Sequence, residues 1–273
     1  MTPARILIIA GSDAGGGAGI QADIKAVTAL GGYAMTAVTA LTAQNTLGVQ
    51  GVRGVEPAFI REQIRSVLDD LGADCIKTGM LHDAAVIDAV VAELDARANT
   101  VTVVVDPVMV AQSGDRLVAD EAMAHLRDVL IPQARLITPN IPEAEALLGR
   151  PIDGVAAMPA AAEALLDLGC QAVLLKGGHL AEEVLEDVLA TRQGITHLRH
   201  GRLTTTSDHG TGCTLASAIA EGIGRGLDLE VAVRRGRDYL QRALETAVPL
   251  GHGHGPVNHG HTVMPFGLTP EPQ

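Results

Sequence analysis

The chain of 273 residues carries 32 acidic against 20 basic side chains, a formal charge of -12, and is 47% hydrophobic. With no basic run and no aromatic platform, nucleic acid is excluded as the main partner, and no apolar run approaches the roughly 18 residues of a membrane span. Three cysteines, Cys75, Cys170 and Cys213, form no CxxC pair and leave an odd thiol, so neither a disulfide framework nor a cysteine zinc site is expected.

The first apolar run, Ile6 to Ala10, is too short for a signal peptide, and the cytoplasm is the expected compartment. Arg5 to Ala10 reads as a strand that ends in the glycine-rich loop 11–19, with a helix from Ile20 to Leu30. That loop is neither a P-loop, since no Lys-Ser/Thr follows, nor a GxGxxG turn. Its use is a close backbone approach to a small ligand, with Asp23 in the first helical turn facing the same opening. Tyr33 to Leu41 is the next strand, which places Gln44 where a strand enters a loop. The alternation continues with a helix over 56–71, a strand over 74–78 ending at Gly79-Met80, and a helix over 83–97. Val101 to Val105 delivers Asp106-Pro-Val-Met109, with the loop Ser113-Gly-Asp115 beyond it and a helix running to Leu130. Leu136 to Thr138 delivers Asn140 and Glu143; after a helix over 156–168, Ala172 to Leu175 delivers Lys176-Gly-Gly-His179. Segments 186–191 and 197–203 read as an antiparallel pair at the sheet edge, and helices from Thr211 and Leu229 finish the core.

Strand and helix in alternation predict right-handed crossovers, hence a three-layer α/β/α fold around a mostly parallel sheet. No linker or repeat interrupts it, so 1–273 reads as a single domain. Gly11, Gln44, Met80, Asp106, Asn140 and Lys176 each follow the C-terminal end of a predicted strand, where open α/β sheets place their ligands. No strand pair between the first glycine loop and Asp106 offers a lid.

Two features carry chemistry. His209-Gly-Thr-Gly-Cys213 opens a helix with glycines, and a helix start presents unpaired N–H groups and the positive end of the macrodipole to an anion. A thiol at that end, Cys213, is expected to have its thiolate favoured and to act as base or nucleophile. Lysines number only three, at 25, 77 and 176, and Lys176 stands at a strand end. Phosphoryl transfer needs cations on the moving group, an oxygen-held divalent metal and a group that meets the acceptor hydroxyl. Lys176, then Asn140 and Glu143, then Cys213 suit these roles. Aromatic residues are scarce, so a flat ligand must be gripped by aliphatic, Met or backbone surfaces, for which Met80, Val108 and Met109 are candidates. Four histidines lie in the tail 251–261, read as a glycine-shaped loop and not a metal site.

Gly-Gly-Ala-Gly-Ile-Gln-Ala-Asp (16–23), Ala-Gln-Asn (43–45), Thr-Pro-Asn-x-Pro-Glu (138–143), Lys-Gly-Gly-His (176–179), His-Gly-Thr-Gly-Cys-Thr (209–214) and Gly-His-Gly-His-Gly-Pro-Val (251–257) together resemble the hydroxymethylpyrimidine/phosphomethylpyrimidine kinases of the ribokinase-like superfamily. The resemblance spans almost the whole chain. It implies a ribokinase-like fold without a large lid, a kinase of thiamine biosynthesis that uses ATP and Mg²⁺, and a homodimer. It further implies that Gln44 binds the aminopyrimidine with Asp23 and Gly11 near it, and that Gly210, Thr211, Gly212 and Cys213 form the anion hole. Asn140, Lys176 and His209 would serve the nucleotide, and Asp106, Asn140 and Glu143 the metal, directly or through water. Most of the superfamily has aspartate at the position of Cys213; the pyrimidine-kinase branch has cysteine. Two residues depart from the pattern: Asp208 replaces a neutral residue before the histidine, and Gln112 replaces a lysine that is common before Ser-Gly-Asp.

Three other readings compete. A pyridoxal or pyridoxine kinase shares the Gly-Thr-Gly-Cys turn. A Cys213–His209 hydrolase dyad leaves Lys176 and Asn140 without a role, and a binding module without catalysis would show no ATP turnover with an alcohol acceptor.

Overall fold

In the computed structural model, residues 2–97, 100–109, 120–178 and 184–264 are described. Strand β1 (Arg5–Asp13) is apolar on both faces because both are covered. Leu7 and Ile9 enter one buried cluster and Ile6, Ile8 and Ala10 the other, as the two-residue period of a strand requires. Each Leu or Ile among them withdrawn from water contributes about 1.5–3 kcal/mol.

The other strands are β2 (Tyr33–Asn45), β3 (Gly48–Gly54), β4 (Cys75–Thr78), β5 (Thr102–Val105), β6 (Leu136–Ile137), β7 (Ala172–Leu175), β8 (Val184–Thr191) and β9 (Gly194–Gly201). They form one nine-stranded sheet in the order β3-β2-β1-β4-β5-β6-β7-β8-β9. Every pairing from β2 to β7 is parallel; β3 at one edge and β8 and β9 at the other are antiparallel. Helices α1 (Gly19–Ala29), α7 (Thr211–Gly224) and α8 (Leu229–Glu245) pack on the face of Ile6, Ile8 and Val104. The opposite face is covered by α2 (Pro57–Asp70), α3 (Ala84–Arg97), α4 (Asp120–His125), α5 (Ile141–Leu148) and α6 (Met158–Leu166). The three-layer, mostly parallel architecture is the expected one. From β1 the chain steps first toward β2 and later toward β4 on the other side, and such a reversal opens a crevice at the strands' C-terminal ends.

The structure differs from expectation in three places. β1 does not stop at Ala10: a register shift around Gly11 lets Ser12 and Asp13 pair with Leu41 and Thr42. β2 runs on to Asn45 and folds back through β3, so the expected loop at Gln44 is strand, and a hairpin stands in the segment where no strand pair was expected. Glycines at 48, 51 and 54 and a mostly exposed surface hid β3, because no apolar alternation marks it. Thirdly, Asn140 and Glu143 begin helix α5 and form a capping box: Asn140 Oδ1 accepts from Glu143 N at 2.9 Å and Glu143 Oε2 from Asn140 N at 2.8 Å. The loop 113–115, Gln112 and His179 lie outside the described residues.

Candidate active site

Two glycine turns meet at the end of β1. Gly210, the N-cap of α7, has φ +82°, a conformation that costs little only for glycine. A Cβ there would overlap the carbonyl oxygen of Gly17. Asp13 organises the facing loop: Oδ1 accepts from Gly15 N at 2.8 Å, and Oδ2 from Gly17 N at 3.0 Å and Ala18 N at 2.8 Å. Nε2 of His209 lies 2.9 Å from the same Oδ2. Burial works against the Asp13 charge, yet the His209 contact and the loop N–H groups hold its carboxyl below the usual range. Asp13 was not singled out in the sequence, although an aspartate two residues before a glycine run is an Asx-turn signal.

Helix α7 starts directly over an ion pair. Lys176 Nζ is 3.4 Å from Asp106 Oδ1, which also accepts from Thr138 Oγ1 at 2.9 Å. A Cβ on Gly212 would sit 3.3 Å from that Nζ and 3.7 Å from Asp106 Oδ2, so glycine keeps the helix end open toward both. Burial opposes the charge on Lys176, but Asp106 and Glu143 outweigh it and hold the ammonium above its ordinary value. Burial raises the Glu143 carboxyl to about 7 against the pull of Lys176, with Asp106 pushing the same way and the Asn140 and Met109 N–H groups opposing.

A second buried pair lies under the first turns of α1 and α7. Lys77 Nζ is 3.0 Å from each oxygen of Asp23, and Ser217 Oγ donates to Asp23 at 2.6 Å. Burial works against charge on both partners and lifts Asp23 above the carboxylate range, while contact with Asp23 outweighs burial at Lys77 and holds its pKa high. The expected position of Asp23 is thereby corrected. It is fully buried and does not face the opening; Lys77, which the sequence reading left without a role, lines the cavity in its place.

Cys213 lines the cavity at the α7 start, and its expected activation is also corrected. Burial pushes the thiol up to about 12 despite Lys77, with Asp23 and Asp106 adding to the rise and the Gly19 N–H opposing it. Burial thus favours the protonated thiol over the thiolate, against the pull of the helix N-terminus.

All of this opens on a cavity of about 590 Å³. Gly11, Gln44 and Met80 line it on the side of β2, β1 and β4, Arg202, Thr205 and Arg237 on the side of β8 and β9, and Val108 and Leu244 also belong to its wall. Cys213, Lys176, Asp106, Asn140, Glu143 and His209 lie between, together with Gly210, Thr211 and Gly212. A Cβ on Gly11 would meet Met80 Cε at 2.6 Å, so that wall is closely packed. Gln44 Nε2 lies 3.4 Å from His209 Nε2 and its Oε1 accepts from Thr42 Oγ1. Met109 does not line the cavity; it is buried in the core and reaches the site only through its N–H toward Glu143.

The tail histidines are used one at a time. His254 Nδ1 lies 2.7 Å from Asp208 Oδ1, which gives the unexpected acid a partner, and the His259 ring faces Thr214 Oγ1 at 2.9 Å. Among the described residues no group of three His, Cys, Asp or Glu side chains is placed to hold a metal ion.

The phosphomethylpyrimidine kinase family model matches residues 13–258. The chain is 45% identical over 260 residues to the hydroxymethylpyrimidine/phosphomethylpyrimidine kinase of Streptomyces coelicolor, covering 95% of this chain and 96% of that one. To the thiamine biosynthesis bifunctional protein ThiED of Geobacter sulfurreducens it is 48% identical, and it spans 52% of that longer protein. Among solved structures, a Bacillus subtilis pyridoxal kinase with ADP superposes with a TM-score of 0.88 at 33% identity, covering 95% of this chain and 98% of that one. A phosphomethylpyrimidine kinase from Clostridium difficile gives 0.79 at 40% identity, over 88% and 99% of the two chains. The fold is thus the ribokinase-like one that the motifs implied, and the chain belongs to the phosphomethylpyrimidine kinase family and is a kinase.

Proposed function

We propose that this chain phosphorylates the hydroxymethyl group of 4-amino-5-hydroxymethyl-2-methylpyrimidine with ATP, and then the resulting monophosphate, in thiamine biosynthesis. The observation that carries the reading is the start of α7 over Lys176 and Asp106, in the middle of a cavity open toward Gln44 at one side and Arg237 at the other. Acceptor and nucleotide then approach from opposite sides onto one anion-binding turn.

In this reading Gln44, with Gly11, Met80 and Val108, holds the pyrimidine. The N–H groups of Gly212 and Cys213 and the Lys176 ammonium offset charge on the transferring group. Cys213 orients the acceptor hydroxyl as a thiol. Phosphoryl transfer through a loose transition state requires little prior deprotonation, so a thiolate is unnecessary. Asn140 and Glu143 already spend an oxygen each on the α5 cap, whereas Asp106 Oδ2 faces the cavity beside Gly212. These groups fit Mg²⁺ held through water better than direct ligation. Bound there, the ion would offset negative charge on the phosphates. His209 Nε2–H donates to the Asp13 carboxylate and so supports the nucleotide turn indirectly, with Gln44 Nε2 3.4 Å from the same nitrogen.

The whole chain is read as one kinase domain, acting as a cytoplasmic homodimer as the resemblance implies; no helix of the described residues is long and apolar enough to cross a membrane. ADP release with Mg²⁺ over a panel of hydroxymethyl heterocycles tests the assignment. The structural likeness to pyridoxal kinases makes pyridoxal the comparison substrate; preference for it by an order of magnitude would move the assignment there.

A further inference from the structure

We infer that Asp187 is a positioning residue for phosphoryl transfer: its carboxylate, anchored by Arg237 of α8, fixes the Gly177 N–H and thereby sets the turn that carries Lys176. The inference rests on the role proposed above for Lys176.

The turn has to be held because β7 ends at Leu175, so Lys176 sits just outside the ladder. On one side its own N–H donates to Pro139 O at 2.9 Å, and it bridges to Asn140. On the other side the next N–H, that of Gly177, donates to Asp187 Oδ1 at 2.9 Å. Residue 177 runs close against the β8 backbone, since a Cβ there would overlap the carbonyl oxygen of Glu186. Asp187 therefore grips the backbone one residue from the ammonium that faces Asp106.

Asp187 is 1% exposed, and a carboxylate so buried needs a cation. Arg237 Nε forms an ion pair with Oδ2 at 3.1 Å, and His200 Nε2 lies 3.7 Å from it, neither with hydrogen-bond geometry. Those contacts and the Gly177 N–H hold the Asp187 carboxyl below its ordinary range in spite of burial. Arg237 extends from the helix that packs on α7, so the chain of contacts ties the Lys176 turn to the helix whose start binds the anion. A salt bridge serving stability alone would not require one carboxylate oxygen on the backbone of the Lys176 turn.

The test compares Asp187→Asn, which retains an acceptor for Gly177 N–H, with Asp187→Leu, which does not, and with Lys176→Met. The expected result is a kcat about fivefold below the parent for Asn and roughly a hundredfold below for Leu, with both KM values changed less than threefold. Equal losses for Asn and Leu, or a loss confined to the KM for ATP, overturns the inference. If Lys176→Met keeps the parental kcat, the role of Lys176 falls and this inference with it. If Lys176→Met is slow and Asp187→Leu is not, only this inference falls. Should the Leu variant fail to fold, hydrogen exchange at the Gly177 amide of the Asn variant decides: protection as in the parent supports the inference, and its loss contradicts it.

Discussion

Lys77 Nζ lies 3.0 Å from each carboxylate oxygen of Asp23, with both side chains fully buried beneath the α7 helix start. Removing one member leaves an uncompensated charge in the core. Lys77→Met or Asp23→Leu alone is expected to cost about 3–5 kcal/mol, whereas the double substitution recovers much of it. Urea denaturation of the three variants checks this; additive losses would show that the two groups do not act as a pair.

Cys213 is expected to be slow toward alkylating agents, because burial pushes its thiol up to about 12. At pH 7.5 iodoacetamide should modify it at least about a hundredfold more slowly than a free thiol of ordinary pKa, with the rate still rising at pH 10. A rate that matches free cysteine, or levels off near pH 8, would restore the thiolate. Cys213→Ala should lower kcat by roughly 10-fold to 100-fold, since an orienting contact is lost and not a general base.

Gln44→Leu is expected to raise the KM for the pyrimidine at least about tenfold and the KM for ATP less than twofold, since an unpaired buried polar edge on the ligand costs about 1–3 kcal/mol. Initial rates with each substrate varied in turn decide the point. Equal effects would reduce Gln44 to its contacts with Thr42 and His209.

His259 imposes a pH dependence on folding. Burial lowers its pKa to about 4, with Lys25 adding to the effect, so between about 4 and the ordinary 6.5 the unfolded chain binds a proton that the folded chain does not. Stability therefore falls as pH drops through that window, by roughly 3 kcal/mol in all. His259→Gln, which can still face Thr214 Oγ1, should flatten this part of the profile. An unchanged profile in that variant would assign the loss to other groups.

The alternating strands and helices were legible because fully covered strands such as Val101 to Val105 read as continuous apolar runs. The cluster of site residues was legible because six strand ends converge in one crevice. What escaped were effects of burial and of local competition. Lys77 stands in a four-residue strand that is buried throughout, and nothing in Cys-Ile-Lys-Thr announces its partner 54 residues away. The spacing Asn140-x-x-Glu143 fits both an oxygen-rich metal site and a capping box, and local hydrogen bonding decided for the cap. The thiol of Cys213 illustrates a balance of magnitudes: a helix N-terminus lowers a pKa modestly, while burial together with the nearby Asp23 and Asp106 raises it further.

One anion-binding turn, open toward an acceptor pocket, is expected to serve two successive phosphorylations. The direct test is the time course of products from purified enzyme with excess Mg-ATP and 4-amino-5-hydroxymethyl-2-methylpyrimidine, separated by anion-exchange chromatography. The monophosphate is expected to appear first and to be consumed as the diphosphate accumulates, with two ADP released per pyrimidine. A reaction that stops at the monophosphate, or turnover seen only when pyridoxal replaces the pyrimidine, would contradict it.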